Sequence, residues 1–98
     1  MDEPIVVVAE VKAKPGKEDA LRAKLLGLIE PTRAEEGCIQ YDLHEAAGEP
    51  GRLLFYEIWR SKPDLDQHLA TPYLQDLFAA IPELVEGDPR IVIYRRIA

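Results

Sequence analysis

The order of secondary-structure signals in this 98-residue chain predicts an α+β sandwich, β-α-β-β-α-β. Two observations carry that expectation. Four β-branched, apolar stretches fall at 5–13, 38–46, 52–60 and 90–97. Two stretches with helical signals, 17–35 and 62–85, separate them so that the middle two strands are neighbours. This is the split βαβ arrangement of ferredoxin-like sandwiches, four antiparallel strands with two helices on one face.

Each element follows from its residues. Residues 5–13 (IVVVAEVKA) are strand-formers, and Pro15-Gly16 ends the run. Over 17–35, Leu21, Leu25, Leu28, Ile29 and Thr32 recur at helical spacing. Pro31 inside this pattern is expected to bend the last turn, and Gly37 to stop the helix. Residues 38–46 and 52–60 flank the turn-forming Gly48-Glu49-Pro50-Gly51 and predict a hairpin. Ser61, with Pro63 and Asp64 behind it, makes a capping-box helix start, and Thr71-Pro72 repeats the signal. Two consecutive helical pieces, broken near Thr71, are therefore expected before Gly87.

Length supports one domain spanning 1–98, small enough that oligomerisation commonly supplements its core. A net charge of −6 argues against nucleic acid or an anionic membrane as partner, since both attract basic surfaces. No segment reads as a signal peptide or a membrane span, and the single cysteine, Cys38, allows no intrachain disulfide. A cytoplasmic location is the expectation. Cys38 itself reads as a small buried apolar residue.

Both faces of the sheet look apolar. One parity holds Ile5, Val7, Ala9, Val11, Ile39, Tyr41, Leu43, Leu54, Tyr56 and Ile58. The other mixes Val6, Val8, Leu53, Phe55 and Trp59 with Glu10, Gln40, Asp42, His44 and Glu57. Helices cover only one face, so a second copy packed sheet to sheet is expected on the other. The mixed parity is assigned to a cavity under the helices, because small-molecule pockets are apolar with a few placed polar groups. The cleaner parity is assigned to the dimer; the reverse assignment, with the polar groups forming a hydrogen-bonded network in the dimer interface, stays open.

The chemistry concentrates in Phe55-Tyr56-Glu57-Ile58-Trp59-Arg60-Ser61, with His68 nine residues beyond the Trp. Glu57 on a buried strand needs a partner or a function. Trp59 offers a flat wall for an aromatic ring, or plain core packing. His68 titrates near neutrality and suits a general base, although a lone His is more often simply satisfied. Tyr73 can aim its hydroxyl into a pocket or staple a helix start. His44 near the hairpin end also reads as an ordinary polar strand residue. No metal cluster, phosphate loop or Ser/His/Asp signature is visible, so no cofactor is called for.

These residues resemble the antibiotic biosynthesis monooxygenase family, which includes quinol monooxygenases. The resemblance runs through Lys14-Pro15-Gly16, Glu35-Glu36-Gly37-Cys38, Tyr41, Phe55, Glu57-x-Trp59-x-Ser61, His68 and Thr71-Pro72-Tyr73. It implies a dimeric α/β barrel with a cavity in each subunit. It also implies oxygenation of an electron-rich phenol or quinol by dioxygen, without metal or flavin. Phe55 and Trp59 would hold the ring, and His68, paired with Glu57, would take the phenolic proton. Phe78, Tyr73 and His44 are the further candidate substrate contacts. Some relatives degrade haem through an axial His, and Phe78 stands at that position here. Other relatives are isomerases or degrade a small sugar-like signalling molecule; the alternative readings of this chain are an isomerase or detoxifying enzyme for a small polar carbonyl metabolite, or a non-catalytic ligand-binding dimer.

Overall fold

The computed structural model describes residues 3–98. It contains β1 (Ile5–Lys12), α1 (Glu18–Leu26), α2 (Ile29–Arg33), β2 (Cys38–Glu45), β3 (Arg52–Trp59), α3 (Lys62–Leu69), α4 (Pro72–Leu84) and β4 (Arg90–Tyr94). The four strands form one antiparallel sheet in the order β2-β3-β1-β4, as the ferredoxin-like reading requires. The helical segments cover one face, and the core lies between them and the sheet.

The first helix divides earlier than expected. It breaks at Gly27-Leu28, ahead of Pro31. Pro31 has no N–H to offer the Gly27 carbonyl four residues back, and glycine is itself a weak helix former. Leu28 N–H turns instead to the Leu25 carbonyl at 3.1 Å, which tightens the turn, and Pro31 falls in the first turn of α2 where it is tolerated. Both later helix starts follow their sequence signals. The Ser61 hydroxyl accepts from Asp64 N–H at 3.3 Å, and the Thr71 hydroxyl from Leu74 N–H at 3.4 Å.

The face assignment needs correction. Residues directly opposite in an antiparallel ladder share a face. Val7 pairs with Glu57 and Ala9 with Phe55, so the β1 set Ile5-Val7-Ala9-Val11 lies with Leu53-Phe55-Glu57-Trp59 under the helices. Tyr41 pairs with Glu57 and Leu43 with Phe55, which brings them to the same side. A register shift between Cys38 and Gln40 reverses the phase at the start of β2. Cys38 therefore pairs with Trp59 on the covered side, while Ile39 is 57% exposed. The open face carries Val6, Val8, Leu54, Tyr56 and Ile58, with Gln40, Asp42 and His44 alongside.

Candidate functional site

Three elements converge at the end of the sheet where β3 meets α3. Trp59 closes β3 and is wholly buried. His68 occupies the last turn of α3 and is 1% exposed. The Thr71 hydroxyl donates to the His68 carbonyl at 2.8 Å, tying that turn to the start of α4. The two rings lie against each other, with centroids 4.4 Å apart and planes tilted by 35°. Tyr41 meets the imidazole edge-on at 5.5 Å and stacks on Phe55 at 4.6 Å.

The buried Glu57 and the partly buried Glu35 have different partners. Trp59 Nε1–H donates to Glu57 Oε1 at 2.8 Å. Glu57 has no other side-chain hydrogen bond among the described residues, and burial pushes its carboxyl up to about 7, against the opposing effect of the Trp59 bond. His68 does not pair with Glu57. Its Nδ1 lies 2.7 Å from Glu35 Oε2, on the loop between α2 and β2. The Tyr73 hydroxyl donates to that same oxygen at 2.5 Å. Burial pulls the imidazole pKa below its usual value, outweighing the upward pull of Glu35. His68 is thus neutral at pH 7, and the oxygen already accepting from Tyr73 makes Nδ1 the protonated nitrogen.

A cavity of about 110 Å³ opens between the sheet and the helices. Glu57 and His68 are its polar walls, and Tyr41, Phe55, Phe78 and Ile91 are among its apolar ones. Ile91 and Ile93 are about half-exposed, so the cavity reaches solvent along the β4 edge. No lysine or arginine among the described residues lines it.

Of the seven residues singled out from the sequence, four line this cavity: Glu57, His68, Phe55 and Phe78. Trp59 stands behind His68 and Tyr73 turns its hydroxyl to Glu35, so neither is a wall. His44 is exposed on the open face opposite Leu54, away from the cavity. Glu35 is the residue that sequence reasoning missed as a participant. Its only signal was its place in the Glu35-Glu36-Gly37-Cys38 segment. The Cys38 thiol, half-buried, is pushed up to about 11 chiefly by burial and is no nucleophile at neutral pH. Among the described residues no group of three or more His, Cys, Asp or Glu is placed to hold a metal ion.

A ferredoxin-like sheet carries an apolar cavity beneath its helices, walled by an imidazole and a buried carboxyl, and this is the candidate site. Residues 4–80 match the family model described as antibiotic biosynthesis monooxygenase, and the chain belongs to that family. An uncharacterised Synechocystis protein is 39% identical over 96% of this chain, which spans 64% of that relative's length. The Mycobacterium tuberculosis protein named "Putative monooxygenase Rv0793" is 41% identical over 87% of this chain and 83% of its own. The solved structure of Rv0793 superposes with a TM-score of 0.92 over 98% of this chain and 97% of that one, at 35% identity. PA3566 from Pseudomonas aeruginosa gives a TM-score of 0.94 over 100% and 98%, at 32% identity. No helix among the described residues is long and apolar enough to cross a membrane.

Proposed function

We propose that the chain is a cofactor-independent monooxygenase acting on an uncharged quinol or polyphenol. The observation that carries this reading is a neutral His68, tethered through Nδ1, on the wall of an apolar, aromatic-lined cavity. Tyr41, Phe55 and Phe78 provide the ring contacts. The absence of a cationic wall favours a substrate that enters without charge, and the sparse polar lining disfavours a polar carbonyl metabolite.

In this mechanism His68 Nε2 takes the phenolic proton, and the imidazolium so formed sits beside the phenolate. The phenolate passes two electrons to dioxygen, one ring C–O bond forms, and a hydroperoxide results once a proton reaches the outer oxygen. Glu57, with its carboxyl near 7, supplies that proton. Loss of the C–H hydrogen and cleavage of the O–O bond then release water and leave a quinone carbonyl. One phenol and one dioxygen give one quinone and one water. Trp59 acts from behind, holding His68 in plane and stabilising Glu57 through its N–H.

The second copy belongs to the same proposal. The open face presents Val6, Tyr56, Ile58 and Tyr94 along a groove bounded by the C-terminal residues 95–98, and a homodimer through this face removes it from water. Oxygen uptake with a panel of dihydroxynaphthalenes tests the reaction. Wild type should consume dioxygen, and His68→Ala should lose about a hundredfold or more of that rate. Uptake no faster than the protein-free blank across the panel would refute it.

A further inference from the structure

We propose that Glu35 is a positioning residue that selects the His68 tautomer, and that Tyr73 moderates it through the same carboxyl oxygen. The inference rests on the catalytic reading of His68 but is read out without turnover.

The three side chains come from three separate places in the fold. Glu35 stands on the loop before β2, His68 ends α3 and Tyr73 begins α4. The contacts span 33 and 38 residues of sequence, so the arrangement is tertiary rather than a local capping pattern. Glu35 Oε2 accepts from both neighbours, at 2.7 Å from His68 and 2.5 Å from Tyr73. A neutral imidazole has one N–H, and this geometry commits it to Nδ1. Nε2 then keeps its lone pair and has no hydrogen-bond partner among the described residues. Without Glu35 nothing in the surroundings enforces that choice. Trp59 and Tyr41 offer His68 ring faces and edges, and Glu57 is engaged by Trp59.

Tyr73 acts in the opposite sense. Its O–H delocalises charge from the carboxyl that attracts the imidazole N–H. The Tyr73 hydroxyl is itself pushed up to about 12, first by burial and then by Glu35, so it stays a donor throughout the neutral range. Losing Glu35's charge therefore weakens proton binding at His68, and losing the Tyr73 donor strengthens it.

Long-range ¹⁵N–¹H NMR of the imidazoles tests this directly. The chain has only two histidines, and the exposed His44 serves as internal reference. In the wild type at pH 8, His68 should show a protonated Nδ1 and a bare Nε2. Glu35→Gln should mix the tautomers and lower the His68 pKa, Tyr73→Phe should raise it, and His44 should move in neither. A wild-type His68 protonated at Nε2, or shifts of the same sign in both variants, overturns the proposal. If Glu35→Gln fails to fold, Tyr73→Phe alone decides: an unchanged or lowered pKa overturns it. Oxygen uptake in parallel separates the two ideas, since the tautomer result stands whether or not the phenol panel is consumed.

Discussion

Glu57 is 5% exposed and, among the described residues, receives a single side-chain hydrogen bond, from Trp59. Burial raises its pKa from 4.5 to about 7, so the folded protein holds this proton more tightly than the unfolded chain does. Stability contributed by a raised carboxyl is present at low pH and lost as pH climbs through the folded pKa. His68 works in the other direction: its lowered pKa removes stability as pH falls below 6.5. Glu57→Gln isolates the first effect. Relative to wild type it should gain about 2 kcal/mol on going from pH 5 to pH 8 in urea unfolding. A difference independent of pH would show that Glu57 is not held protonated. At this scale the sequence made His68, Trp59 and Glu57 legible, since a lone Trp, a helical His and a carboxyl on an apolar strand all stand out. The pairing was not legible. Glu35 reaches His68 only because a loop folds back across 33 residues, and no local spacing encodes that.

The same loop explains a glycine. Gly37 was expected to end a helix by its conformational freedom, but it is not among the glycines at positive φ. Its role is space. A Cβ there would lie 2.4 Å from Asp64 Cβ and 2.3 Å from Asp64 Cγ. Asp64 is in demand, since Arg60 grips both its oxygens at 2.8 Å and Ser61 donates to one of them at 2.7 Å. Moving it would disturb the start of α3, the helix that carries His68. Gly37→Ala should cost about 1–3 kcal/mol, seen as a lower thermal midpoint. An unchanged midpoint would mean the loop can shift freely. Elements and their order were readable from composition and caps, including the double helix start at Ser61 and Thr71. The faces were misread because alternation fixes which residues of one strand go together, not which set of the next strand joins them. Register supplies that, and in β2 the irregularity at Cys38–Gln40 reverses it. That shift affects Cys38 and Ile39 alone; Tyr41 is inside because it pairs with Glu57 rather than with the Tyr56 set, and it is 1% exposed and stacked on Phe55.

At the scale of the whole molecule, the described residues place helices on one side of the sheet only. The uncovered centre is apolar, with Val6, Val8, Leu54, Tyr56 and Ile58. Glu10, Lys12, Arg52, Asp42 and His44 lie toward its edges. An apolar centre with a charged rim is the anatomy of a protein interface. Ile58 is the informative position. It pairs with Val6 and Gln40 in mid-sheet and lines the groove with Tyr56 and Tyr94. In a lone subunit an aspartate there points into water and costs little. Between two sheets it is a buried charge without a partner, which costs several kcal/mol per copy. On the proposed dimer, the wild type should elute from size exclusion as a dimer, and Ile58→Asp should keep its circular dichroism spectrum and elute as a monomer. Tyr41 cannot serve for this test, since a charge beside Phe55 attacks the core of each subunit. A folded Ile58→Asp variant that remains dimeric would place the interface elsewhere, and the apolar centre of the sheet would then need a different cover.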